Sequence, residues 1–270
     1  MCVGSLAVGG SGKTPVTMAI SKMLSERGYS VVIGCSGYGS PKAHDAQIAP
    51  EGSLDPAEWG DEVAMIRWLV PEIPLVVGRN RVMAADLVNF AYPESVLVMD
   101  DGFQHMPLKK NLSLVIDELR PKNCYCLPAG PYREPRTNRK RADILFPNRD
   151  YSIVNSRLEF IDPLTRAAVE VSEAYVLTAI GRPDKFLEDL RISKVKTPHS
   201  TLLPDHHPLD APSLVNSLPQ ELPVITTAKD WVKIAERSDW QDRKWIVASK
   251  FVTIEPREEF MNWVVRHLNL

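Results

Sequence analysis

The sequence is poor in the features that mark secreted, membrane-spanning or nucleic-acid-coating proteins. Only four cysteines occur in 270 residues, Cys2, Cys35, Cys124 and Cys126. Their spacings match neither a zinc-ligand pair nor a disulfide framework, which points to a reducing compartment. No apolar run approaches the roughly 20 residues that cross a bilayer. No basic region followed by an apolar stretch of secretory type is present either, so the cytoplasm is the expected location. Neither sign of charge dominates. The formal net charge of -2 lacks the basic excess that phosphate-backbone binding leaves, so nucleic acid is not an expected partner. Internal repeats and low-complexity tracts are missing as well. What remains is a globular composition, 44% hydrophobic, with enough chain for one large or two modest domains.

The first informative stretch is "LAVGGSGKTPVT", residues 6–17. A loop of Gly9, Gly10, Ser11 and Gly12 offers backbone N–H groups to a phosphate. Lys13 can reach a terminal phosphate, and the Thr14 hydroxyl can bind magnesium. The P-loop pattern has a glycine five residues before Gly12, where this chain has Ala7. The context supplies what that departure removes. "CVGSLAV" before the loop reads as a buried strand, and Val16, Ala19, Ile20, Met23 and Leu24 after it fall at helical spacing. Pro15 sits near the helix start and Gly28 at its end, each where such a residue is favoured. A turn that is merely rich in glycine would not explain Lys-Thr behind it.

Apolar runs "YSVVIGC", "IPLVVG", "SVLVMD", "LSLVID" and "ADILFP" recur between helical patterns. Strands apolar on both faces and separated by helices predict a mostly parallel sheet covered on each side. The expected fold is therefore α/β: a P-loop NTPase-like sheet with helices on both faces, plus a smaller second α/β domain. The expected division is residues 1–150 for the nucleotide-binding domain and 151–172 for a hairpin-like connector. Residues 173–270 would form the smaller domain that closes over the site.

Chemistry-bearing residues gather in four further places. "SVLVMDDGFQH", residues 95–105, is a strand ending in Asp100 and Asp101, where acids beside a phosphate loop hold magnesium. An Asp-Gly chain reversal explains Asp101-Gly102 equally, but not the Gln104 and His105 that follow. "WGDEVAMI", residues 59–66, puts Asp61 and Glu62 in a first helical turn, a placement that the helix dipole favours on its own. "LLPDHHPLD", residues 202–210, offers Asp205, His206 and His207 in a loop, with no further ligands at metal-binding spacing. The basic run in "LPAGPYREPRTNRKRADIL", residues 127–145, reads either as a solvated face or as an anion-binding loop.

Together the segments "VGGSGKTP", "SGYG", "GDE", "DDGFQH", "LPAGPYREP", "RAD", "DHH" and "TAKD" resemble the tetraacyldisaccharide 4'-kinases, in the family's order and over nearly the whole chain. The resemblance implies transfer of the γ-phosphate of ATP, with Mg2+, to the 4'-hydroxyl of a lipid-linked disaccharide, tetraacyldisaccharide 1-phosphate, forming lipid IVA. It makes Asp61 the catalytic carboxylate, with His206 beside it across the domain cleft, and Lys13 a catalytic cation. Gly9, Gly10, Ser11, Gly12, Lys13, Thr14 and Arg133 would hold ATP. Thr14, Glu62, Asp100, Asp101 and Glu134 would surround the metal, with Gln104 and His105 nearby and Arg81 facing developing charge. It also implies peripheral contact with the inner membrane at its cytoplasmic face, through an N-terminal amphipathic helix that this sequence does not include. Three positions depart from the family pattern: Ser5 for asparagine, Ser36 for arginine and Ala228 for glutamate. Two other readings stay open on sequence alone: a P-loop kinase or ligase with a soluble substrate, and a nucleotide-binding paralogue that has lost catalysis.

Overall fold

The structure, a computed structural model, describes residues 1–240 and 243–270. In chain order the first half contains β1 (Cys2–Ser5), α1 (Lys13–Glu26), β2 (Val31–Cys35), β3 (Gln47–Ile48), α2 (Pro56–Trp59), α3 (Asp61–Leu69), β4 (Leu75–Val77), α4 (Arg81–Ala91), β5 (Val96–Asp100), β6 (Ser113–Ile116) and β7 (Ile144–Phe146). There follow β8 (Ser152–Ile161), β9 (Tyr175–Thr178), α5 (Pro183–Ile192), β10 (Ser200–Leu202), α6 (Pro212–Ser217), β11 (Val224–Thr227), α7 (Ala228–Ile234), β12 (Trp245–Glu255) and α8 (Arg257–Leu268). The chain forms two compact units, one of residues 1–52, 70–155 and 252–270 and the other of residues 53–69 and 156–251.

The first unit is built on a seven-stranded sheet in the order β3-β4-β2-β5-β1-β6-β7. Every neighbouring pair is parallel except β3 with β4. Strands β1, β2 and β4 are buried at every position, as runs apolar on both faces require when helices cover both sides of a sheet. Strand β1 lies between β5 and β6, while α1 carries the chain from β1 across β5 to β2. The loop after β1 and the acids ending β5 therefore share the carboxyl edge of the sheet, where α/β sheets bind ligands. Gly4 is demanded by this packing: a Cβ there would stand 2.4 Å from Phe103 Cβ.

The second unit has a five-stranded sheet in the order β10-β9-β11-β12-β8, and β9 pairs parallel with both β10 and β11, as β11 does with β12. Its core gathers Leu177, Val224, Trp231, Ile234, Trp240 and Trp245, and Met65, Trp68 and Leu69 of α3 pack against that cluster. This explains why residues 53–69 group with the second unit although they precede most of the first. In the other direction, Phe260 of α8 packs edge-on against Phe146 and Tyr151, which ties residues 252–270 to the first unit. Both excursions depart from a linear division at residue 150. Between β8 and β9 the chain reverses at Asp162, whose carboxylate accepts the N–H groups of Leu164 and Thr165, and Val169 N–H returns to Phe160 O at 2.8 Å. Among the described residues no helix is long and apolar enough to cross a membrane.

Candidate active site

In the first unit the site begins at the N-terminus of α1. Gly12 is the N-cap, in the left-handed region at φ 81°, with no side-chain cap and no acid in the first turn. The N–H groups that begin a helix have no partner within it, and with no capping side chain those of Lys13 and Thr14 are available to an anion. Lys13 Nζ donates to Ser11 Oγ at 3.3 Å and lies 3.7 Å from Asp101 Oδ1, its side chain only 11% exposed. Thr14 Oγ1 donates to Asp100 Oδ2 at 2.8 Å, and Thr17 Oγ1 to Asp100 Oδ1 at 3.0 Å. Asp100 is buried, so its two oxygens are aimed by those hydroxyls.

The 127–135 segment runs beside this loop. Val8 N–H donates to Pro131 O and Arg133 N–H to Leu6 O, both at 2.8 Å. Arg133 Nη1 reaches both oxygens of Asp101 at 2.8 Å, with Asp101 itself at a positive φ of 50°. Gln104 Nε2 bridges Ser5 O at 2.9 Å and Glu134 Oε1 at 3.0 Å, and the other Glu134 oxygen pairs with Arg141 and accepts from Asn138. Under this layer Tyr132 is almost wholly buried and donates to Asp117 Oδ1 at 2.8 Å. Burial, reinforced by the Asp117 carboxylate, pushes its phenol up to about 12. Arg81 opens α4, is buried, and donates to Gly78 O and Arg79 O. Burial lowers its pKa from the ordinary guanidinium value, against the pull of Asp101. His105 is also held below the usual imidazole value by burial, with the Arg81 charge next in effect.

The second unit brings Asp61 and His206 together. Asp61 lies in the first turn of α3, and its Oδ2 stands 3.1 Å from His206 Nδ1 and 3.3 Å from Lys233 Nζ. His206 holds a positive φ of 63°, and its N–H donates to Ala179 O at 3.3 Å. The segment after β9 is fixed in turn by Asp230, fully buried, whose Oδ2 accepts Thr178 Oγ1 at 2.8 Å, Ala179 N–H at 3.0 Å and Thr227 Oγ1 at 2.9 Å. Lys229 Nζ lies 3.1 Å from Asp205 Oδ1 and 3.4 Å from His206 Nε2. Burial alone would raise the Asp205 pKa, but the hydrogen-bonded Lys229 ammonium holds it below the usual carboxylate range.

One expectation is corrected by this arrangement. Asp61 and His206 do not face each other from different domains, because both belong to the second unit, which α3 joins through its apolar face. Of the group expected around a metal, Thr14 and Asp100 meet directly, Asp101 faces Arg133 and Lys13, and Glu134 is engaged by Arg141. Glu62 lies on α3, in the second unit. No three His, Cys, Asp or Glu side chains among the described residues assemble into a metal-holding cluster. The sequence assigns no role to Lys229 and Lys233, although their spacing of one helical turn in "TAKDWVKI" is a visible signal that they share a face.

A glycine loop with Lys-Thr at a helix start, and an acid on the neighbouring parallel strand, define an α/β protein of the P-loop class. The profile of the Tetraacyldisaccharide-1-P 4'-kinase family matches residues 1–269, and the chain belongs to that family. The tetraacyldisaccharide 4'-kinase of Anaeromyxobacter dehalogenans is 33% identical over 270 residues, covering 86% of this chain and 71% of the relative. That of Aromatoleum aromaticum is 36% identical over 255 residues, covering 86% and 74%. The crystal structure of the "apo" form of Aquifex aeolicus LpxK in complex with ATP superposes with a TM-score of 0.83 at 24% identity, covering 98% of this chain and 87% of that one. That likeness establishes the fold.

Proposed function

We propose that this chain transfers the γ-phosphate of ATP to the 4'-hydroxyl of tetraacyldisaccharide 1-phosphate, forming lipid IVA in lipid A biosynthesis. The observation that carries the reading is the 3.1 Å contact between Asp61 and His206, in a chain that also keeps the P-loop lysine and threonine. A carboxylate oriented by an imidazole suits the proton of a sugar hydroxyl, and a helix N-terminus with a lysine suits the phosphates. The names of the relatives support the acceptor, and the Aquifex aeolicus protein, solved with ATP, supports the donor.

In this reading Asp61 accepts the 4'-hydroxyl proton as that oxygen bonds to the γ-phosphorus and the bond from the γ-phosphorus to the bridging oxygen breaks, releasing ADP. Lys13, the free N–H groups of the α1 N-terminus and Arg133 stabilise the charge that spreads over the phosphoryl oxygens. Thr14 and Asp100 are hard oxygen donors in direct contact, a pair whose chemistry fits magnesium and that would hold it. When bound, magnesium would neutralise charge on the β- and γ-phosphates. The acyl chains of the acceptor support a reaction at a membrane surface, which in this reading is the cytoplasmic face of the inner membrane, with the protein in peripheral contact.

Radiolabel transfer from γ-labelled ATP to purified tetraacyldisaccharide 1-phosphate in detergent, with magnesium, tests the reading. Transfer by the wild-type chain that Asp61→Ala and Lys13→Ala each abolish is the expected result. ATP bound without transfer to this acceptor would overturn it.

A further inference from the structure

Lys229 and Lys233 sit one turn apart on α7 and meet the two members of the Asp61–His206 pair separately. Lys233 Nζ lies 3.3 Å from Asp61 Oδ2, and Lys229 Nζ lies 3.4 Å from His206 Nε2. Each lysine has its own anchor. Lys233 reaches His207 O at 3.1 Å and Asp230 Oδ1 at 3.5 Å, with its side chain 5% exposed, while Lys229 reaches Asp205 Oδ1 at 3.1 Å.

The chemistry of the ammonium decides what this means for the ring. An ammonium has donors only, so the His206 nitrogen that faces Lys229 must present a lone pair. The ring proton then sits on Nδ1, where it donates to Asp61 Oδ2 at 3.1 Å. Asp205 would favour the opposite tautomer, but its Oδ2 is 3.8 Å from Nε2, beyond hydrogen-bond reach, and its Oδ1 is committed to Lys229. On Asp61 both of these contacts fall on Oδ2, so in the kinase reading it is Oδ1 that takes the acceptor's proton.

We infer that Lys229 and Lys233 are positioning residues, Lys229 holding His206 as the Nδ1–H tautomer and Lys233 fixing Asp61 through Oδ2. The inference rests on the proposed kinase reading for its catalytic consequence. It makes His206 a donor that orients the base and not a shuttle that carries the proton away. Removing Lys229 frees Nε2 to take the proton, which takes the Nδ1 donor from Asp61 and lets the carboxylate turn. A misplaced reacting group of this kind costs up to about 100-fold in rate.

The experiment is a long-range proton–nitrogen spectrum of the 15N-histidine-labelled full chain at pH 9, for wild type and Lys229→Met, beside their kinetics in the lipid assay. In the wild type His206 should show a pyrrole-like Nδ1 and a pyridine-like Nε2. Lys229→Met should give the Nε2–H form or a mixture, with kcat down by about 10- to 100-fold and KM for ATP within about twofold. Lys229→Arg should restore the tautomer and part of kcat. Lys233→Met should lower kcat in the wild-type background and add nothing in Asp61→Asn, since the two act as a unit. A wild-type ring protonated on Nε2 overturns the inference even if Lys229→Met does not fold, and so does a Lys229→Met protein with tautomer and kcat unchanged. A wild-type chain inactive on the lipid would instead remove the kinase reading, while the ring spectrum would still decide the tautomer.

Discussion

Tyr132 gives the sharpest link between the packing under the phosphate loop and a measurable quantity. Its phenol is buried, donates to Asp117 at 2.8 Å, and has its pKa pushed from 10.0 to about 12, by burial first and then by the Asp117 carboxylate. A folded-state pKa above the unfolded value means that the stabilisation is complete below pH 10 and is lost as pH rises from 10 to about 12. A shift of about 2 units is worth roughly 2.7 kcal/mol over the whole window, and about half of that is gone by pH 11. Tyr132→Phe removes the hydroxyl while Asp117 keeps Arg136 at 2.7 Å, so at pH 8 it should cost about 1.5–3 kcal/mol, the worth of a hydrogen bond to a charged group. The assay is urea unfolding of both proteins from pH 8 to pH 11, followed as their difference. The buried thiol of Cys2, raised to about 11, is common to both proteins and cancels from the difference. The difference should shrink by about 1.3 kcal/mol between pH 8 and pH 11. A gap that stays constant over that range would show that the Tyr132–Asp117 bond does not carry the shift.

Asp61→Asn should lower kcat by about 10²- to 10⁴-fold with KM for ATP nearly unchanged, and an equal loss of ATP affinity would take Asp61 out of the catalytic role. Asp100→Ala leaves the buried Thr17 hydroxyl and the Thr14 hydroxyl without their shared acceptor, so thermal unfolding should register a loss of about 1–3 kcal/mol. The same variant should need more magnesium for half-maximal transfer, and an unchanged requirement would remove Asp100 from the metal set. Gly4→Ala drives a Cβ to 2.4 Å from Phe103 Cβ, so an overpacking cost of about 1–3 kcal/mol is expected in chemical denaturation. Because Phe103 follows Asp101 and Gly102, calorimetry should also find weaker ATP binding, and unaltered binding would mean that the strain relaxes away from the loop.

How much of this the sequence reveals follows from the range of the interactions involved. Strand β1, the glycine loop and α1 lie within residues 2–26, and their turn chemistry, helical spacing and phosphate logic are all local, so sequence alone placed them. The runs ending at Asp100 and in "ADILFP" were likewise legible as buried strands, because burial on both faces writes an unbroken apolar run. The ownership of α3 was not. Its apolar positions Met65, Trp68 and Leu69 announce a buried face but cannot say which core covers it, and that core is built from residues more than 100 positions later. The return of α8 to the first unit was hidden for the same reason, since Phe260 finds Phe146 and Tyr151 only after the second unit has been traversed.

The candidate site shows the same limit in its charges. A lysine on a short helix reads as a solvated one, and nothing in "TAKDWVKI" indicates that Lys233 is almost wholly enclosed between Asp61 and Asp230. Burying an ammonium is costly unless acceptors surround it, so Lys233 remains inside only because two carboxylates and the His207 carbonyl converge on it. The convergence depends on α3 delivering Asp61 to the second unit and on Asp230 bonding the end of β9, which positions His206 through Ala179. The carboxylate–histidine pair is thus held by the core of one unit, and the packing of Trp68 and Trp231 in that core is a condition of its geometry as much as the hydrogen bonds are.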